Sequence, residues 1–246
     1  MKQERIIKET SPTNPQSEVR VPQSVDFSRY DQKLEFILRN AARIFAGKGY
    51  HSTTMRDISR ETQVSLAGLY HYCRSKEELL FLIQDNCFGR VLERLLARLE
   101  ETTEPVEKLR LVIENHLSFF AANMAEMKVL SHEADSLAGE MYEHVSGKKQ
   151  QYTQLVRSIL SEVQEARASL GQQIDLTVAT YALFGMMNWI YNWYDPRGLL
   201  SVTDLVENIT RLFLSGFLAE MTGEGLQFRP KLKEAERLSV WRAPQP

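Results

Sequence analysis

Five side chains between positions 53 and 76 carry groups that hold phosphate. They are the hydroxyls of Thr53 and Thr54, the phenol of Tyr70, the imidazole of His71 and the ammonium of Lys76. Such donors, with backbone N–H groups at helix starts, fix a protein on a polyanion without reading its sequence. Among them lie Leu66, Ala67 and Gly68, apolar or small enough for close backbone approach, and Arg56; these four are the candidates for touching base edges. Other chemistries find little support. His116, His132, Glu133 and His144 include no pair at the three- or four-residue helical spacing of a compact metal site, and adjacent His132 and Glu133 diverge on a helix. No nucleophile–base pairing, glycine-rich phosphate loop or carboxylate dyad stands out, so neither catalysis, metal nor cofactor is expected. Cys73 and Cys87 lack ligand spacing and read as buried free thiols.

The elements that must position these groups are helices. No run sustains period-two alternation, and apolar residues recur at three and four. Leu34, Ile37, Leu38, Ala41, Ile44 and Phe45 mark one face of a first helix that Gly49 ends. Ser52, Thr53 and Thr54 are candidate N-caps for a helix from Met55 to about Thr62. Ser65 caps a short helix from Leu66 to Cys73, and Ser75 a long one from Lys76 to about Leu99. Ser75-Lys76-Glu77-Glu78 predicts a capping box. Ile58, Val64, Leu69 and Cys73 form an apolar clamp between the two short helices, leaving residues 66–68, 70 and 71 facing outward. A second helix held steeply against a first is the arrangement that enters a major groove.

Charge supports the same reading. Residues 1–76 carry 13 Lys and Arg against 8 Asp and Glu, while 77–246 carry 17 against 24, a basic head on an acidic body. The division expected is a flexible, proline-punctuated arm over 1–29, a helix-turn-helix over 30–76, a helical body over 77–222 and a polar tail over 223–246. Pro105 opens a fifth helix; shorter helical material follows to about Leu137, then Met141–Leu170 with a break near Gly171. Ile174–Tyr194 and Leu199–Glu220 are strongly apolar helices separated by the turn Asp195-Pro196-Arg197-Gly198. The polar N-terminus shows no secretory signal, and the apolar stretch at 181–194 is too short and too interrupted to span a bilayer, so a cytoplasmic, all-α protein is expected.

Gly49-Tyr50-His51-Ser52-Thr53-Thr54-Met55-Arg56-Asp57-Ile58, Val64 to Tyr72 and Ser75-Lys76-Glu77-Glu78-Leu79 resemble the N-terminal signature of TetR-family transcriptional regulators. The likeness spans about Leu34 to Ile83. It departs at Gln63, where the family usually has glycine in the turn, at Cys73, usually phenylalanine, and at Arg74, often proline. The resemblance implies a palindromic double-stranded operator, a homodimer and a C-terminal domain that binds a ligand and dimerises through its last two helices. Trp189 and Trp193 with Leu205, Ile209, Leu212, Phe213 and Phe217 suit such an interface; burial within one subunit's own core is the competing reading. Phe88, Leu92, Phe120, Met124, Met127, Tyr152, Phe184, Met187 and Tyr191 are candidates to line an apolar cavity with His116 and Asn188 as polar handles; plain core packing would use the same residue types. The run from Asn188 to Gly198 is also similar to family members associated with fatty-acid or acyl-CoA catabolism. A repressor released by a small hydrophobic effector is therefore expected. The alternatives are a sensor of cationic drugs using Glu114 and Glu126, or an acyl-binding helical enzyme.

Overall fold

The structure, a computed structural model, describes residues 29–166 and 174–217. The expected tail, the break near Gly171 and all but the last residue of the expected arm lie outside those residues. Nine α-helices are described: α1 Arg29–Lys48, α2 Met55–Thr62, α3 Leu66–Tyr72, α4 Lys76–Leu99, α5 Pro105–Ala121, α6 Met124–His132, α7 Gly139–Glu165, α8 Leu176–Asn188 and α9 Val202–Phe217.

Their starts follow from local chemistry. Thr54 caps α2: its hydroxyl accepts from Asp57 N at 3.2 Å, and Asp57 Oδ2 accepts from Thr54 N at 2.9 Å. That reciprocal pair is a complete capping box. At α4 only half of the expected box forms. Ser75 Oγ accepts from Glu78 N at 3.0 Å, but the Glu78 carboxylate reaches past Ser75 to Arg74 N. Pro105 sits in the first turn of α5, where a missing N–H costs nothing.

Two apolar cores result. The head core gathers Ile37, Ala41, Phe45, Ile58, Leu69 and Cys73, and it also takes Leu79, Leu80 and Ile83 from α4 and Val129 from α6. The body core gathers Val91 and Leu95 from further along α4 with Leu109, Val112, Leu117, Val156, Leu160, Leu183 and Ile190. One rigid helix thus belongs to both cores, and α6 lies across α1. The expected single helix over 174–194 is shorter: α8 stops at Asn188 and a 3-10 turn covers Trp189–Asn192. The tighter turn buries Ile190 and Tyr194 while leaving Trp189 and Trp193 outside. No helix among the described residues is long and apolar enough to cross a membrane.

Candidate DNA-binding head and effector chamber

In the head, the clamp forms as expected, with Ile58, Leu69 and Cys73 buried and Val64 packed against them. The turn between α2 and α3 places Gln63 at φ 52°, in the left-handed region where the family's glycine would be unstrained. Its side chain folds back, Nε2 donating to Arg60 O at 2.7 Å. Ser65 Oγ accepts from Gly68 N at 3.0 Å and starts α3. Gly68 keeps that turn uncrowded, because a Cβ would lie 3.0 Å from Val64 Cγ1 and 3.1 Å from Ser65 Oγ and those side chains would have to give way. Arg56, Ala67, Tyr70 and His71 are exposed and Leu66 is half-buried, so the outward-facing group is assembled. The ring of Tyr30 stacks on Tyr72 at 4.8 Å and meets His71 edge-on at 5.9 Å, buttressing the end of α3 with the start of α1.

Three expected phosphate donors are engaged elsewhere. Thr53 is buried and its hydroxyl donates to Gly49 O at 2.7 Å. Lys76 Nζ donates to Tyr50 O at 2.8 Å and Thr53 O at 2.9 Å, with His51 O at 3.5 Å, and lies 4.3 Å from the centre of the Tyr50 ring. An ammonium has three N–H bonds, and here three carbonyls receive them. Lys76 therefore ties the 50–53 loop to α4. Thr54 is exposed, but its hydrogen goes to Asp57 Oδ2 at 2.8 Å. Hydrogen bonds from Lys48 and from Thr54 hold the Asp57 carboxyl well below the usual carboxylate range, so the cap stays charged.

The body encloses a cavity of about 390 Å³ between α4, α5, α6, α7 and α8. Of the expected lining, Phe88, His116, Phe120, Tyr152, Phe184, Asn188 and Tyr191 do line it. Leu92 and Met187 are instead body core, and Met124 packs against that core. Leu92 and Met124 stand one turn along the same helix faces as the lining Phe88 and Met127, a distinction that residue type does not carry. The expected Met127 lines it too, and the cavity also takes Leu130, Ser131, Ala134, Lys149, Thr153, Tyr181 and Trp189, which sequence reasoning left out or, for Trp189, gave to the interface.

Its polar centre is a chain of three groups. His116 Nε2 lies 3.1 Å from Asn188 Oδ1, and Nδ1 lies 3.1 Å from Tyr152 Oη. A carbonyl oxygen only accepts, so Nε2 carries the ring proton and Nδ1 accepts from the phenol. Burial pushes His116 down to about 4, despite the opposing hydrogen bond to Asn188, and pushes the Tyr152 phenol up, so both are neutral near pH 7. The Asn188 amide NH₂ has no partner among the described residues and is left to the cavity.

Among the described residues no carboxylate lines this chamber. Glu114 pairs with Arg98 at 2.9 Å, and Glu126 faces a different, wider cleft of about 480 Å³ between α1, α4 and the α5–α6 corner. Burial raises the Glu126 carboxyl there, partly offset by Arg39 and Arg43. That cleft alternates charges already engaged with each other, as in Arg39–Glu35 at 2.7 Å and Arg90–Glu35 at 3.7 Å, and is the seam between head and body. His116, His132 and His144 join no metal-binding group among the described residues. His132 packs edge-on against Tyr191 at 5.5 Å, while Glu133 accepts from Ser136 Oγ at 2.7 Å. Both cysteines are buried and free.

The expected interface divides. Leu205, Ile209 and Phe213 are buried in the subunit's own core, and Phe217 stacks on Phe213 at 5.4 Å. The outer faces of α8, the 3-10 turn and α9 instead leave Val178, Tyr181, Trp189 and Leu212 each 60% or more exposed, with Trp193, just after the turn, at 52%.

Residues 37–83 match the family described as bacterial regulatory proteins, tetR family, and residues 102–217 match the tetracyclin repressor-like C-terminal domain. The chain is 25% identical over 191 residues to the transcriptional repressor KstR2 of Mycobacterium tuberculosis, covering 75% of this chain and 92% of that protein. It is also 25% identical over 184 residues to the fatty acid metabolism regulator protein of Bacillus subtilis, covering 73% and 93%. Among solved structures, AibR in complex with isovaleryl coenzyme A and operator DNA superposes with a TM-score of 0.65 at 29% identity, covering 73% of this chain and 97% of that one. The first matched segment holds the helix-turn-helix and the second most of the body, and on that ground the chain belongs to the TetR family of DNA-binding transcriptional regulators, which are not enzymes.

Proposed function

We propose that this regulator is a homodimeric repressor of a palindromic operator, released when a small acyl acid or its coenzyme A thioester enters the chamber. The observation that carries the proposal is the chamber itself: apolar walls, a neutral His116–Tyr152–Asn188 chain that leaves an amide donor for a carbonyl oxygen, and no carboxylate to hold a cation. The relatives agree in kind, since one regulates fatty acid metabolism and another was crystallised with an acyl thioester and DNA. Arg56, Leu66, Ala67, Tyr70 and His71 would face the groove, and the exposed apolar faces of α8 and α9 would pair two subunits.

Release needs a ligand that favours one arrangement of the head over another. Helix α6 offers the connection. Met127 and Leu130 face the chamber while Val129 and Ala125 sit in the head core, so filling the one displaces the other. The test is a titration of operator-bound protein with isovaleryl-CoA and isovalerate, following DNA release and thermal midpoint together. Release and stabilisation at matching concentrations, both weakened in Asn188→Leu, support the proposal. Stabilisation without release would mean equal binding to both states, and no effect of either compound would remove the acyl assignment.

A further inference from the structure

A second, small cavity of about 60 Å³ adjoins the effector chamber between α4, the α6–α7 connection and α7. The two share Phe88, Leu130, Ala134 and Lys149 as lining and so lie side by side. Three of the four are apolar. The fourth is an ammonium, and its surroundings distinguish it from its neighbour. Lys148, one residue earlier, is held by Asp85, which also takes His144 Nε2 at 2.8 Å. Lys149 has no ion-pair partner among the described residues, and it is the one charged side chain on the wall of the larger cavity. The charge nearest to it on the smaller cavity's wall is Asp135, which is exposed and makes no ion pair with it.

We propose that Lys149 is the chamber's anion anchor and selects effectors that carry a negative charge next to an apolar acyl group. This rests on the acyl reading above and adds to it the charge of the ligand and the residue that reads it. The physical reason is that an exposed ammonium at the edge of a mainly apolar wall, with no ion-pair partner among the described residues, is free to turn onto an anion, and a charge-assisted bond formed there is stronger than the neutral bond that Asn188 offers. The same charge rejects cations, which the chamber's walls give no carboxylate to hold. The anion has two chemical sources, the carboxylate of a free acid or a phosphate of its coenzyme A thioester.

The experiment measures affinity by calorimetry for isovalerate, isovaleryl-CoA and the uncharged thioester isovaleryl-N-acetylcysteamine, in the full-length protein and in Lys149→Gln and Lys149→Arg. The expected result is that Lys149→Gln weakens the preferred anionic ligand about tenfold or more, that Lys149→Arg restores most of the loss, and that the uncharged thioester is unaffected. Loss confined to isovalerate identifies the carboxylate as the anchored group; loss confined to isovaleryl-CoA identifies a phosphate. Equal affinities for charged and uncharged ligands in the parent protein, or an equal loss for all three in Lys149→Gln, overturn the anchor while leaving the acyl reading standing. Absence of binding by every isovaleryl compound overturns both.

Discussion

Acid should destabilise this protein earlier than its carboxylates would, through His116. The imidazole is fully enclosed, and burial pushes it from an ordinary 6.5 to about 4 in the folded chain. Between those values the unfolded chain holds a proton that the folded chain refuses, so stability is complete above about pH 6.5 and falls as pH drops toward 4. The gap corresponds to about 3 kcal/mol when fully developed, a large part of the stability of an ordinary domain. Two other sets of groups bound the window. Asp57, Asp175 and Asp195 are held below the usual carboxylate range by hydrogen bonds, from Lys48, from Val178 N and from Arg197 N respectively, so their loss comes at lower pH. Glu126, raised by burial, acts in the opposite sense, since the folded chain holds its proton to higher pH. The comparison that isolates His116 is urea denaturation at pH 7, 6, 5 and 4.5 for the parent and for His116→Phe. The variant starts lower because the Tyr152 hydroxyl loses its acceptor, but its stability should fall less steeply with acid. Parallel curves for the two proteins would refute the assignment.

Three further outcomes follow from the head. Lys76→Ala should cost about 1.5–3 kcal/mol by removing a charged donor from the loop carbonyls of Tyr50 and Thr53, and its operator affinity should fall with loop order rather than by a simple loss of one phosphate contact; urea midpoints with salt-dependent DNA binding distinguish the two. Gly68→Ala should weaken operator binding and lower the thermal midpoint together, because its Cβ must displace Val64 or the capping Ser65 hydroxyl. Gln63→Gly should raise stability by about 0.5–1 kcal/mol, the left-handed strain relieved outweighing glycine's added freedom in the unfolded chain; an unchanged or lower denaturation midpoint would show that the Gln63–Arg60 hydrogen bond matters more than the strain.

The helices were legible because their signals are local. Thr54, Ser65 and Ser75 announce three starts, Gly49 one end, and the apolar clamp of Ile58, Leu69 and Cys73 follows from spacing alone. Lys76 was misjudged for a reason of the same kind. A basic residue at a helix start looks available to phosphate, and nothing in its neighbours reveals that a loop 23 residues earlier in the chain turns its carbonyls toward it. Lys149 escaped notice because beside Lys148 it reads as ordinary solvated surface, and only the fold separates the paired lysine from the one on the cavity wall. On α9, period alone finds an apolar stripe at 205, 209 and 213, but which stripe meets the subunit's own α5 and which is left for a partner depends on tertiary packing. The 3-10 turn after Asn188 had no sequence signal that separated it from helix.

Helix α6 has nine residues and two masters, since its chamber face and its head face are less than one turn apart. Under the proposed function, a substitution at Met127 or Leu130 that reshapes the chamber should also shift Val129 in the head core, so that preference for a new effector and occupancy of the operator without one would be inherited as a single trait on this helix. Positions 152, 153, 184 and 188 touch the chamber from α7 and α8, away from the head. On that reading, retargeting the sensor, by natural drift or by a designer, would be a matter of those two walls, while α6 would set how loudly any chosen molecule is heard.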